Sequence, residues 1–400
     1  MEKPVILTGV RSNAEPTLGN LLGVILPMVR LQRKHAKDYN INFFVPDLHS
    51  ITTHTDYVSL YKNTINNVKL IVAAGLDIND PQMLVYRQSY IPAHSEMAWI
   101  LECFAYYGEL NRMTQFKDKV ERIDFREELN LSLNNYLQMQ RKFGENYTKH
   151  EYIDFLAMHF AGLKSLVERQ EKEATVGLFN YPILMASDIL LYGAKYVPVG
   201  EDQRQHLELA RDIAIRMNRD FGNLFTVPEP WEKLTQFVAG ISGVRIRSLK
   251  HPQFKMSKSV SDPAGTILLS DTPEQAKSKV LDATTDSIGR INYDFKNQSG
   301  VSNLLQIIGI LENKTIEGVL KDWQEQTSYV KLKRAAGDLV AQFLSDIQKN
   351  LRSISDQDII DKLSHDEPIA ALKANATLLN VQRAVGLRPI INDYPSDARN

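Results

Sequence analysis

Residues 177–217, GLFNYPILMASDILLYGAKYVPVGEDQRQHLELARDIAIRM, read as helix, strand, helix. Ile183, Leu184, Ile189, Leu190 and Leu191 make the first helix apolar almost all round, the pattern of a buried element. Pro182 suits its first position, where a missing N–H costs nothing. One carboxylate, Asp188, interrupts the apolar run. Residues 196–199 read as a short strand closed by Gly200. Glu201-Asp202-Gln203 then opens a second helix, with Leu207, Ala210, Ile213, Ala214 and Met217 at three- and four-residue spacing. A strand–glycine–helix turn leaves backbone N–H groups at the mouth of a sheet, where a small polar ligand can lie.

The same alternation runs through the N-terminal half. Apolar, β-rich runs at 5–9, 41–45 and 83–86 predict three strands, separated by apolar helical patterns at about 21–31 and 57–74. Gly75 is placed to end the second helix. Strands alternating with such helices mean βαβ units and a mostly parallel sheet. From Ser95 to Lys119 the pattern is helical, broken at Gly108. Residues 120–175 differ in kind: rich in Glu, Lys, Gln and Asn, with Tyr152, Phe155, Leu156, His159, Leu163, Leu166 and Val167 marking an amphipathic stripe. That reads as a helical insertion. After Met217 the pattern is loop and β-like up to Phe254. Beyond Thr272 it is helical, most clearly at 273–282, 302–311, 315–323, 331–350 and 356–363, which predicts a second, all-α domain.

Composition narrows the class. The 400 residues allow two domains, and 43% hydrophobic with 24% charged residues is ordinary globular content. Cys103 is the only cysteine, which excludes an internal disulfide and cysteine-rich metal centres and points to a reducing compartment. The opening MEKPVILTGV is too quickly interrupted for a signal peptide, and no apolar run is long enough to span a membrane, so a soluble cytoplasmic protein is expected. A net charge of −1 argues against a general nucleic-acid coat, so any RNA contact must come from local patches.

Candidate chemistry lies in the loops. Thr17, Gly19 and Asn20 sit where a strand-following loop enters a helix, a place that can hold an anion but is mostly an ordinary helix cap. His49 follows the second strand at its C-terminal end, where ligands of α/β proteins bind; His35, His150, His159 and His365 read as packed or solvated. Arg112–Lys119 is a basic cluster of the kind that usually ends a solvated helix. Lys255-Met256-Ser257-Lys258-Ser259 is a compact cationic loop whose lysines suit a phosphate as flexible point charges.

Together these pieces resemble one family. Thr17-Leu18-Gly19-Asn20 is similar to the variant "HIGH" signature of class I aminoacyl-tRNA synthetases, with Asn20 in place of the final histidine. Residues 255–259 are the literal KMSKS signature in the expected order. The runs at 47–52, 112–119, 181–192, 198–206, 285–287 and 300–305 resemble the bacterial tryptophanyl-tRNA synthetases rather than the tyrosyl branch. The likeness covers most of the chain outside the insertion. It departs at Arg11-Ser12-Asn13-Ala14, where the family usually has Gln-Pro-Ser-Gly.

The resemblance implies a Rossmann-like parallel-sheet catalytic domain over 1–268, with the insertion at about 120–176, and a helical anticodon-binding domain over 269–400. It implies ATP, as its magnesium salt, activating L-tryptophan for transfer to tRNA(Trp) by a cytoplasmic homodimer without a structural metal. On the amino-acid side it implies that Asp188 accepts the indole N–H, Met185 walls the ring, Tyr181 lies near the amino group, and His49 and Gln203 line the pocket. On the nucleotide side it implies Arg11, Ser12, Thr17, Gly19, Asn20, Gly200, Glu201 and Asp202. The loop residues Lys255, Met256, Ser257, Lys258 and Ser259 would also bind ATP, and Lys119, Lys255 and Lys258 would follow the leaving pyrophosphate.

Overall fold

A computed structural model describes residues 3–10, 16–53, 56–114, 175–239, 244–256 and 262–389. Four parallel strands form one sheet: β1 (Val5–Gly9), β2 (Asn40–Val45), β3 (Met83–Arg87) and β4 (Ala194–Tyr196), in the order β3-β2-β1-β4. β2 is buried over its last five residues and β1 over its central three, because helices cover both faces of the sheet. The crossovers are α1 (Leu26–His35), α2 (Leu60–Ala73) and, after β3, α3 (Ala93–Glu102). Then α4 (Val176–Leu191) leads to β4 and α5 (Arg204–Phe221). Gly75 follows α2 at φ 106°, the left-handed geometry expected of a helix stop.

Several boundaries differ from the sequence expectation, each for a local reason. Pro182 lies inside α4, not at its start, because the helix begins six residues earlier and Thr175 caps it by accepting from Leu178 N at 3.1 Å. β4 is Ala194–Tyr196 instead of 196–199, pulled back by its pairing of Val5 with Ala194. The helical pattern at 21–31 splits into a π-helical turn, Leu21–Ile25, and then α1. The loop reading after Met217 missed the last turn of α5 and a further helix, α6 (Trp231–Phe237).

From Pro273 onward the described residues carry five helices, as expected: α7 (Pro273–Leu281), α8 (Ser299–Glu312), α9 (Ile316–Trp323), α10 (Tyr329–Ser353) and α11 (Asp356–Ala384). The last runs well past residue 363 and carries Pro368 inside it. Two side chains of α11 cover the free edge of the sheet. Asp366 accepts from Val85 N at 2.8 Å and Glu367 from Arg87 N at 3.2 Å, so carboxylates replace the next strand. Glu367 also holds the Arg87 side chain through two bonds, 2.6 and 2.9 Å. Ile359 and Leu363 join one apolar cluster beneath the sheet, while Ala370, Ala374, Leu378 and Val381 join the other, around α4 and α5.

Candidate active site

The C-terminal ends of β1 and β2 open into a cavity of about 200 Å³. Leu7, Thr8 and Gly9 line it from β1, and Phe44 and Pro46 from β2, as expected at the carboxyl edge of a parallel sheet. His49 enters from the short turn after β2, and Tyr181, Met185, Asp188 and Ile189 from α4; Val197, Pro198, Val199 and Gln203 close it. The structure thus brings together five side chains expected from sequence: Asp188, Met185, Tyr181, His49 and Gln203.

Asp188 is fully buried. Such a carboxylate needs donors, and it has three. Oδ1 accepts from Gln88 Nε2 at 2.7 Å and lies 2.6 Å from His94 Nδ1; Oδ2 lies 2.9 Å from His49 Nε2. Burial pushes the Asp188 carboxyl up, but the hydrogen bonds from His49 and His94 outweigh it and hold the group below the ordinary carboxylate value. A carboxylate offers about four acceptor positions, so one remains, on Oδ2 at the cavity wall. His49 is 5% exposed and its Nδ1 has no hydrogen-bond partner among the described residues. Tyr181 OH lies 3.2 Å from His206 Nε2, and His206 Nδ1 lies 2.8 Å from Gln203 Oε1, which ties both polar walls together.

Gln88 and His94 were not singled out from sequence. The rule that favoured His49, a histidine just beyond a strand's C-terminal end, also fits His94 after β3, but a 3-10 turn, Gln88–Tyr90, intervenes. The direction of the ring is set by packing: it stacks against Phe44 at 6.5 Å between centroids and lies 3.0 Å from Tyr192 OH through Nε2.

A second cavity of about 400 Å³ shares Thr8, Pro198 and Val199 with the first. Gly23, Val24 and Pro27 line it on one side, and Gly200, Glu201 and Trp231 on the other. Asp202 is exposed beside it and accepts from Gln203 Nε2 at 3.0 Å. Thr17 is 1% exposed and caps the following turn: its hydroxyl donates to Asn20 Oδ1 and accepts from Asn20 N, at 3.0 and 3.3 Å. The capping use of Thr17 is therefore realised, with Asn20 on the outer side.

The two signature motifs meet in space. Leu18 N donates to Ile267 O at 2.8 Å, and Met256, 1% exposed, packs in a cluster with Leu18, Leu22, Ile246 and Ile267. A Cβ on Gly19 would lie 3.2 Å from Met256 O, so glycine permits the close approach. Lys255 is exposed at the foot of the loop. Arg11, Ser12, Lys119, Ser257, Lys258 and Ser259, and all but the last residues of the expected insertion, lie outside the described residues.

Comparison with known proteins agrees with this geometry. A family profile described as tRNA synthetases class I (W and Y) matches residues 1–142 and 156–345. Tryptophan–tRNA ligase of Caldanaerobacter subterraneus subsp. tengcongensis is 37% identical over 382 residues, covering 96% of this chain and 98% of that one. The Bacillus subtilis tryptophan–tRNA ligase is 36% identical over 386 residues, with 96% and 98% covered. The crystal structure of tryptophanyl-tRNA synthetase from Mycoplasma pneumoniae superposes with a TM-score of 0.71 at 29% identity, covering 97% of this chain and 99% of that one. With the strand order, the paired signatures and these relatives all in agreement, the chain belongs to the class I tRNA synthetases of the tryptophan and tyrosine family.

Proposed function

We propose that this chain activates L-tryptophan with ATP and transfers it to the 3′ end of tRNA(Trp). The observation that carries the choice of amino acid is Asp188: an ionised carboxylate at the wall of an otherwise apolar cavity, with three donors and one acceptor position left. Such a group suits one N–H on a large apolar ring, which is the indole of tryptophan. Met185 and Ile189 supply the apolar wall, and Tyr181, His49 and Gln203 the polar end.

In the first step a tryptophan carboxylate oxygen attacks the α-phosphorus of ATP, forming the mixed anhydride as pyrophosphate leaves. In the second, the terminal ribose hydroxyl of the tRNA attacks the carbonyl carbon and releases AMP. No side chain need act as nucleophile, so the protein's contribution is position and charge. ATP, as its magnesium salt, enters along the second cavity past Gly200 and Glu201, with Asp202 toward the ribose and Thr17, Gly19 and Asn20 toward the phosphates. Arg11, Ser12, Ser257 and Ser259 take part in binding ATP, and Lys119, Lys255 and Lys258 follow the charge on the leaving pyrophosphate. The meeting of Gly19 with Met256 supports this reading, since it joins the two signatures at one place.

The helices of 269–400 take the anticodon end of the tRNA, the insertion is an appendage to the catalytic domain at 1–268, and the working form is a cytoplasmic homodimer. Among the described residues no helix is long and apolar enough to cross a membrane. The deciding experiment is ATP–pyrophosphate exchange driven by each amino acid in turn. Exchange with tryptophan is expected; exchange with tyrosine alone would move the chain to the other branch of its family.

A further inference from the structure

Behind the cavity wall lies a polar chain that the two chemical steps do not use. His94 is fully buried and does not line the cavity, yet its Nδ1 is 2.6 Å from Asp188 Oδ1 and its Nε2 3.0 Å from Tyr192 OH. The residue is fixed at both ends. Ser187, the neighbour of Asp188 on α4, donates to the backbone oxygen of His94 at 2.7 Å. The ring lies among Phe44, Tyr86 and Tyr192, with centroids 5.6 to 6.5 Å away. Tyr192 is a neutral phenol, since burial pushes its hydroxyl well up, and it can donate to Nε2 while Nδ1–H donates to the carboxylate.

We propose that His94, which does not touch the substrate, is the positioning residue that makes Asp188 an obligate hydrogen-bond acceptor and so restricts the pocket to an aromatic side chain bearing an N–H. With Oδ1 taken by His94 and Gln88, and one side of Oδ2 by His49, three donors favour the ionised carboxylate, and its open position on Oδ2 is offered to the cavity as an acceptor. While ionised it has no proton with which to donate to a substrate sulfur or oxygen. Without the His94 N–H the same carboxyl keeps its burial and loses one of the bonds that offset it. It then becomes a carboxylic acid more readily and can face a substrate acceptor. Selectivity for a donor, not only affinity for tryptophan, thus depends on a group one shell removed from the ligand.

This inference rests on tryptophan as the substrate. The test is ATP–pyrophosphate exchange with L-tryptophan and with the isostere in which sulfur replaces the indole N–H, in the wild type, H94F, H94N and H94Q. Asparagine places an amide N–H near the position of Nδ1; phenylalanine places none, and glutamine places its amide nearer Nε2. The expected result is a tryptophan-to-isostere ratio of kcat/KM that falls about tenfold or more in H94F and H94Q, the scale of one hydrogen bond to a charged group. H94N should stay within about threefold of the wild type, the rescue that a merely space-filling histidine would not show. If H94F fails to fold, the contrast between H94N and H94Q decides. An unchanged ratio in folded H94F, or equal ratios in H94N and H94Q, overturns the role given to His94. No exchange with tryptophan in the wild type overturns the substrate instead.

Discussion

His94 Nδ1 and Asp188 Oδ1 lie 2.6 Å apart, both residues sealed from solvent and 94 positions apart in the chain. The contact joins the helix that follows β3 to the helix that precedes β4, so two crossovers of the sheet meet at one carboxylate. A charge placed there is tolerable only because the surrounding elements bring donors from three directions. The cavity's chemistry is therefore a property of how the crossovers pack.

Removing the carboxylate's charge tests its role directly. Asp188→Asn or Asp188→Ala should lower kcat/KM for tryptophan roughly ten- to a hundredfold or more, since a hydrogen bond to a charged group is worth ~1.5–3 kcal/mol. KM for ATP should change little. The preference for tryptophan over its sulfur isostere should narrow in parallel, and full retention of that preference would make Asp188 a structural residue. Steady-state exchange kinetics on both amino acids check this.

Asp188 also links stability to pH. Its carboxyl is held below the ordinary value of about 3.9 in the folded state, so the associated stabilisation is fully present above that pH. It is lost as pH falls further, through the lowered folded-state value. Urea unfolding of wild type and Asp188→Asn should thus differ by a constant amount from about pH 5 to 8 and converge only below about pH 4. A difference that changes between pH 6 and 8 would detach the pH dependence from the Asp188 carboxyl.

In the proposed reaction the KMSKS lysines would meet a charge that is greatest as pyrophosphate departs. Lys258→Ala should therefore lower kcat for adenylate formation more than it raises KM for tryptophan, by roughly a hundredfold or more, the scale of ~2.7–4 kcal/mol for a lost transition-state contact. An unchanged kcat with a raised KM for ATP would reduce the loop to ground-state binding.

At the sheet edge, Arg87 and Glu367 form a bidentate pair, with side chains 5% and 10% exposed. Breaking a buried pair strands the other charge, so Glu367→Ala should destabilise the fold by about 3–5 kcal/mol, measured by chemical denaturation. Replacing both residues by apolar ones of similar size should recover most of that loss. A surface-like effect below about 1 kcal/mol would mean that α11 is held by its apolar face alone.

Residues 120–175 read as an insertion, and the family profile passes over 143–155 within them. Trimming 125–170 to a short Gly/Ser linker should leave tryptophan activation largely intact. Complete loss of exchange in a soluble, folded variant would show that the segment builds the site.

The sequence was sufficient wherever a residue's environment depends on its near neighbours. The apolar runs of β1, β2 and β3 and the glycine stop after α2 follow from local periodicity and backbone sterics. So does Asp188 as a carboxylate inside an apolar helix, since the residues three and four positions away already dictate burial. Both signatures were legible because they are contiguous. What the sequence could not supply was the identity of partners. Spacing says that Asp188 needs donors, not that they are Gln88 and His94; it shows Asp366-Glu367 as an acidic pair, not as the cover of a strand edge 280 residues away. The start of α4 went the same way: an apolar pattern cannot tell a proline at the first turn from one inside, and the capping Thr175 decides it. Periodicity records which face of an element is buried, while the packing of distant elements decides what each buried polar atom meets there.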